Sequence, residues 1–446
     1  MSTGATHLHG DRPVYLSACK RLTGFRPSAQ TVKTNMDKET KSVERVIGLD
    51  AHPDSFTAAV IRGPTPAAAI VEKVFNKLPL EQLPNWAQKH TTQKDLFVLE
   101  ASGNSFEIVR KLKALDRPAL VLESCHLGKL KEAHANNDKI SAVRIGKAYL
   151  AGTAKEVWVP DPKTQERRDW FHAHRKAVKR LGQARNSLLS FLSDNGVRLK
   201  KGTSLSQPGV GEEQLRKLRE WSPRQWQVVE ALLMQLRHAE QQRARWRSLL
   251  AQEVLDDPEL LAIVRLCGVR DMIAFALGAF IGDIKRFASP KKLVKYIGLN
   301  PAFDDSGNEQ WRGGVGGHGR KDLRSLLVQG AQAILRCSQT ALAKWGKRLL
   351  ARKGQINLVV IAIARRLTVA VWYLMMGRWT PLEEIDQRLE IKINKILTDV
   401  GAKQIEASGK VRQKWKQEIF EKLKRAKVYV LDPHKTFQST SAVAAP

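Results

Sequence analysis

Val46-Ile47-Gly48-Leu49-Asp50-Ala51-His52-Pro53-Asp54 is a short apolar run that ends in a carboxylate and breaks into a turn. Ser55 to Arg62 gives a second strand-like run and Ala67 to Phe75 a third, the pattern of an antiparallel meander. A helical segment near 80–90 follows. Asp95-Leu96-Phe97-Val98-Leu99-Glu100 is another strand that closes on an acid. Beyond it lie an amphipathic helix over about 104–115, a strand at Pro118 to Leu122, and helices around 126–135 and 139–152. Strands alternating with helices make an α/β sheet, whose ligands sit at strand ends.

Downstream the period changes from two to between three and four. Trp170, His174, Ala177, Leu181, Ala184, Leu188 and Leu192 fall on one helical face. After a glycine-rich loop, Ser222-Pro223 is a good helix start, and Trp226, Val229, Leu233, Leu236, Ala239, Trp246 and Leu250 continue at helical steps. Two such helices facing each other predict an antiparallel coiled-coil arm with a basic outer face. Short helices occupy 258–300, where Leu266-Cys267-Gly268-Val269-Arg270 is similar to half of a helix-hairpin-helix turn that offers N–H groups to phosphate. Residues 301–320 read as loop, and 321–350 and 355–376 as helices. The expected organisation is a mobile tail at 1–42, an α/β domain at 43–160, the arm at 161–257, a mostly helical domain at 258–380, and a basic helical tail with a disordered end at 381–446.

The chain has 446 residues, 75 Lys+Arg against 44 Asp+Glu, and a formal charge of +31. A positive excess of that size repels itself unless an anion is bound, and nucleic acid is the commonest such partner. With 43% apolar residues there is material for real cores, which excludes a wholly disordered basic protein. Four dispersed cysteines give neither a zinc spacing nor a disulfide framework, so the compartment is reducing. The most apolar stretch, Leu358 to Met376, is interrupted by Arg365 and Arg366 and reads as a buried helix, with no membrane partner.

Asp50 and Glu100 terminate strands, and Asp138 precedes a helix. Acids placed so either converge on one or two divalent cations, as in nucleases of the RNase H type, or are solvated strand ends. Ser306 lies in Asp304-Asp305-Ser306-Gly307, ahead of Trp311-Arg312-Gly313-Gly314-Val315-Gly316-Gly317-His318-Gly319-Arg320-Lys321. It is either a surface turn or a nucleophile aimed at phosphate, with Arg312, Arg320, Lys321 and Arg324 as nucleic-acid contacts. Trp170, Trp226 and Trp246 stand at helix-interface spacing, whereas Lys414-Trp415-Lys416 has the cation–aromatic alternation suited to stacking on bases.

Taken in order, these segments resemble the DEDD-type insertion-sequence transposases related to the Piv DNA invertase, the bridge-RNA-guided serine recombinases. The resemblance covers about residues 43–380: Val46-Ile47-Gly48-Leu49-Asp50-Ala51-His52, Phe97-Val98-Leu99-Glu100-Ala101-Ser102-Gly103, Asn137-Asp138-Lys139-Ile140-Ser141-Ala142, Glu156-Val157-Trp158-Val159-Pro160, and then Leu266-Cys267-Gly268, Gly282-Asp283-Ile284, Arg286-Phe287 and Tyr296-Ile297-Gly298-Leu299-Asn300-Pro301 to Ser306-Gly307. It implies a RuvC-like domain in which Asp50, Glu100 and Asp138 hold Mg2+ or Mn2+. Ser306 would then form a transient phosphoserine link to donor and target DNA. A structured guide RNA would choose the sites, and the arm would pair protomers as a dimer or tetramer, in the cytoplasm at the bacterial nucleoid. Ser141 stands where the family has its fourth acid and supplies no charge. The competing functions are a metal-dependent junction nuclease, a Piv-like invertase, or a degenerate, non-catalytic nucleic-acid-binding copy.

Overall fold

The computed structural model describes residues 43–124, 137–200, 205, 207–306, 309–378 and 386–425. It forms two compact units, Met1–Pro160 and Asp161–Pro446. The tail 1–42, the expected helix around 126–135 and the chain beyond 425 lie outside the described residues.

The first unit is built on a six-stranded sheet: β1 (Arg45–Ala51), β2 (Ser55–Arg62), β3 (Ile70–Pro79), β4 (Asp95–Glu100), β5 (Ala119–Leu122) and β6 (Glu156–Val157), in the order β3-β2-β1-β4-β5-β6. β1, β2 and β3 form the antiparallel meander, while β1, β4 and β5 run parallel. Parallel neighbours need crossovers, which α1 (Leu83–His90) and α2 (Ser105–Ala114) supply. α3 (Asp138–Leu150) follows β5.

Both sheet faces are covered, so the central strands are apolar without a break. Ile47, Leu49, Phe97 and Leu99 pack on one side with Trp86 and Leu112. Val46 and Val98 face the other side, against Ile145 and Ala148 of α3. Gly48 shares that second face by alternation. A Cβ there would stand 2.0 Å from the Ala142 carbonyl oxygen, so α3 lies this close to β1 only because residue 48 has no side chain.

The third strand runs over 70–79, later than the sequence places it, and it is bulged. Phe56 pairs with Leu78 and Ala58 with Phe75, leaving Asn76 and Lys77 opposite Thr57. Lys77 takes a positive φ of 52° and donates its N–H to Thr57 Oγ1 at 3.1 Å. Two residues against one kink the strand and re-aim the side chain.

The second unit is mostly helical. α4 (Pro162–Asp194), α5 (Val210–Leu218) and α6 (Pro223–Asp256) come first. Asp161 caps α4, accepting from Thr164 N at 2.9 Å, and Ser222 with Gln225 forms a capping box on α6. Their contacts descend in number, Arg167 to Asp257, Trp170 to Trp246 and Arg185 to Glu240, so the two long helices are antiparallel. Leu188, Leu192, Trp226, Val229, Leu233 and Leu236 form a small core between them. Trp170, Trp226 and Trp246 are thus packing residues, as their spacing indicates.

A larger core joins the lower ends of α4 and α6 to the remaining elements: α7 (Pro258–Val264), α8 (Asp271–Ile281), α9 (Pro290–Ile297), α10 (Lys321–Cys337), α11 (Ala341–Lys353), α12 (Ile356–Met375), α13 (Asp386–Val400), α14 (Ala402–Ala407) and α15 (Arg412–Arg425). α12 is apolar and long enough to cross a membrane, yet Val359, Val360, Ile363, Ala364 and Leu367 are buried in this core. Arg366 lies over the Trp345 ring at 3.9 Å.

Three sequence expectations change here. Within the expected loop 301–320, only 316–320 is irregular: β7 (Pro301–Ser306) and β8 (Glu309–Val315) pair as antiparallel strands. The sequence between them is Gly307-Asn308, a two-residue turn signal in a glycine-rich stretch. The Gly268 turn does not open toward a ligand, since a Cβ at Gly268 would meet Ile334 and the Gly330 carbonyl of α10. Trp415 is 2% exposed inside the core, with Lys410 Nζ 4.0 Å above its ring, so no base can stack on it.

Candidate functional site

Asp50 is the sixth residue of β1, and Leu49 pairs with Leu99 on parallel β4. Asp50 and Glu100 therefore follow in step at the carboxyl ends of adjacent strands, on the face that α3 covers. α3 begins here: Asn137 caps it, accepting from Ile140 N at 2.9 Å, and Asp138 opens its first turn. A carboxylate at that position is favoured by the helix dipole. The contact made possible by Gly48 brings the start of α3 to the end of β1.

Asp50, His52 and Asp138 consequently offer ligand atoms that all lie within 4.8 Å of one another. His52 Nε2 is 3.6 Å from Asp138 Oδ1, and Lys77 Nζ is 3.8 Å from Asp138 Oδ2. Glu100 shares the strand-end register but its carboxylate is outside this group. Ser141, 7% exposed, hydrogen-bonds the Asp50 carboxylate and accepts from Arg144 Nη2 at 3.3 Å. Burial raises the Asp50 carboxyl above its ordinary range; Asp138 adds to the rise, while His52, Ser141 and Arg144 oppose it.

Two carboxylates from different elements that repel each other, with an imidazole beside them, suit a divalent cation. Lys77 occupies the position of a positive partner, and its side chain is 70% exposed, so it can swing away at little cost. The sequence reading named both aspartates but missed His52 and Lys77. His52 was legible in principle, because residues two apart on a strand share a face. Lys77 was not, since the bulge that delivers it has no sequence signature.

Ser306 is the last residue of β7, in the second unit, paired with Glu309. The hairpin base is pinned by glycines. A Cβ at Gly298 would be 2.1 Å from the His318 carbonyl oxygen, and one at Gly319 would be 2.7 Å from Gly298 Cα. Arg324 Nη1 donates to the carbonyl oxygens of His318 at 2.7 Å and Gly298 at 3.2 Å. That nitrogen holds the loop together. Arg320 stacks at 4.2 Å over the Phe280 ring, while Lys321 and His318 are exposed. Arg312 lies in β8. In the tail, Lys416 is paired with Glu390 at 2.7 Å and Lys414 is exposed.

Residues 262–346, which include the hairpin, match the family model for transposases of the IS116/IS110/IS902 family. The chain is 25% identical over 299 residues to the transposase for insertion sequence element IS1111A of Coxiella burnetii, covering 64% of this chain and 78% of that protein. It is 26% identical over 242 residues to the transposase for insertion sequence element IS1328 of Yersinia enterocolitica, covering 53% of this chain and 70% of that protein.

Proposed function

Because the chain is an insertion-sequence transposase, an enzyme that acts on DNA, we propose that it cuts and rejoins donor and target DNA with an acidic metal site and a serine nucleophile. The observation that carries this reading is the convergence of Asp50, His52 and Asp138 at the carboxyl end of β1 in a chain related to transposases. Residues 43–160 act as a RuvC-like domain, 161–257 as a coiled-coil arm that pairs protomers, 258–380 as the transposase domain and 381–446 as a basic tail. A structured guide RNA selects the sites, in the cytoplasm at the nucleoid. Delegating sequence choice to RNA suits a protein whose charge is fitted to backbones rather than base edges.

Asp50, His52 and Asp138 would hold Mg2+ or Mn2+, with Glu100 on the adjoining strand end as the further acid of the same site. When bound, the cation polarises the phosphodiester and steadies the departing oxygen. Ser141 and Arg144 keep Asp50 ionised and oriented. Lys77, exposed beside Asp138, would give up that ion pair to a bound cation at little cost. In the second unit the Ser306 hydroxyl attacks phosphorus: the Oγ–P bond forms, the bond to the leaving sugar oxygen breaks, and the hydroxyl proton leaves with it. The phosphoserine link conserves the energy of the broken bond until another strand's hydroxyl attacks in reverse.

The test is incubation of wild type and Ser306→Ala with element DNA and RNA, followed by denaturing gels. Wild type gives a protein–DNA adduct and the variant gives none. An adduct that survives Ser306→Ala would overturn the nucleophile, and free ends with no adduct in wild type would point to a hydrolytic nuclease.

A further inference from the structure

From 323 to 382 the chain runs for 60 residues without an aspartate or glutamate while carrying ten Lys and Arg. Scaled from the whole chain, with 44 acids in 446 residues, a stretch of that length would hold about six. Part of the gap has an ordinary cause, because α12 is a core helix and acids are seldom buried unpaired. That cause does not extend to the solvent side of α11, where Lys344, Lys347, Arg348 and Arg352 are all exposed.

What α11 buries fixes which way those cations face. Leu342, Ala343 and Gly346 point inward. A Cβ at Gly346 would meet Ile363 Cδ1 of α12 at 2.7 Å and Leu335 Cδ1 of α10 at 3.3 Å, so the helix rests on both neighbours where it has no side chain. At 3.6 residues per turn the four cations fall within an arc of about 140°, centred nearly opposite Gly346. Lys344 and Arg348 lie near the middle of the arc, Lys347 and Arg352 at its two margins, and Ala341 and Ala351 fill the rest with methyl groups. From Lys344 to Arg352 the helix rises about 12 Å. The packing neighbours bring almost no counter-charge. α10 carries one acid, Asp322 in its first turn, and that one stands 3.9 Å from Arg175 of α4; α12 carries none.

Local helix energetics explain only part of this. Cations in a last turn are favoured by the helix dipole, which accounts for Arg352 and Lys353. Lys344 sits in the first turn, where the dipole disfavours a cation. Lys344 with Arg348, and Arg348 with Arg352, are like charges four residues apart, a spacing that destabilises a helix. The buried side, Leu342 and Ala343 with Trp345, Leu349 and Leu350 packed behind them, holds α11 together in spite of its exposed side. Charge set against local stability suits an anionic partner that neutralises it.

The shape selects among such partners. A helix about 10–12 Å across fits the major groove of B-form DNA, about 12 Å wide, whereas the major groove of A-form RNA is deep and narrow. Lys347 and Arg352, at the two margins of the arc, are placed for the backbones on either side of the groove.

We infer that the exposed side of α11 docks in the major groove of duplex DNA, with Lys344, Lys347, Arg348 and Arg352 taking backbone phosphates. This surface rests on the reading that the chain acts on DNA, and not on the metal or serine chemistry proposed for it.

The test is binding of an element duplex by the full-length protein, in a Ser306→Ala background, across a salt series. Lys347→Gln and Arg352→Gln should each weaken binding about fivefold or more at physiological salt and shallow the log–log salt slope by about 0.9, with about 1.8 for the double variant. An unrelated duplex should lose as much, because phosphate contacts carry no sequence information. Lys347→Arg and Arg352→Lys keep the charge and should keep the parent slope. Lys353→Gln removes the same charge from the same helix outside the arc, and should leave the slope unchanged. These side chains are exposed, so every variant should melt with the parent. An unchanged slope in the double variant overturns the surface. So does an equal loss from Lys353→Gln, or a loss confined to guide RNA while duplex binding holds. Wild type that shows these slopes yet forms no adduct would sink the serine chemistry and leave the surface standing.

Discussion

Gly48 is the residue on which the acidic site depends most. It has no chemistry of its own, yet its missing Cβ lets α3 reach the end of β1. Gly48→Ala forces a methyl against backbone, which cannot rotate aside, so overpacking of about 1–3 kcal/mol or more is expected in thermal unfolding. Divalent-cation binding should weaken in the same variant, since Asp138 moves with the helix; a variant with wild-type melting and cation affinity would contradict the packing argument. His52 carries a second prediction. As a ligand, His52→Ala should weaken Mn2+ binding by about tenfold or more, while Ser141→Ala acts only through Asp50 and costs less. Calorimetric titration that finds no change for His52→Ala would take the imidazole out of the set.

At the scale of elements, the pairing of α4 with α6 contains a pH-dependent weakness. His174 on α4 is 8% exposed, and burial, followed by repulsion from Arg247, Arg243 and Arg175 against a weaker pull from Asp271, lowers it to about 4. Its unfolded value is about 6.5. The neutral imidazole therefore contributes its full stability above about 6.5. As pH falls from there toward 4, the unfolded chain takes up a proton that the folded chain refuses, and stability declines. The full effect is on the order of 3 kcal/mol. Urea midpoints followed from pH 7 to pH 5 should fall in wild type and fall less in His174→Gln; parallel curves would refute the assignment. α15 supplies the other element-scale test. Trp415 is core, so Trp415→Ala should cost about 3–5 kcal/mol, with any loss of nucleic-acid binding following the loss of fold.

For the whole molecule, the excess of 75 basic over 44 acidic residues is the dominant long-range feature. If six or more phosphates are neutralised, affinity should fall about a thousandfold between 50 and 200 mM salt. A shallow dependence in filter binding would mean that the charge serves something other than a nucleic-acid backbone. Individual pairs such as Arg167 with Glu253 and Asp257 show that some of this charge is structural.

Much of this was legible in the chain itself. Apolar runs ending in Asp50 and Glu100 announced strands and their ligand end, and the shift from period two to helical spacing located α4 and α6, because burial of one face imposes those periods. The capping signal at Ser222 was equally local. The hairpin under Ser306 was misread because glycines that look like loop are there for close backbone approach, and a Gly-Asn turn was passed over. Trp415 was misread because cation–aromatic alternation looks the same on a surface helix as on one whose aromatic face is buried. The meeting of Asp50, Lys77 and Asp138 was decided by tertiary structure alone. Their proximity comes from a bulge and a glycine contact, and no spacing along a sequence records which distant side chains a packed fold brings within reach.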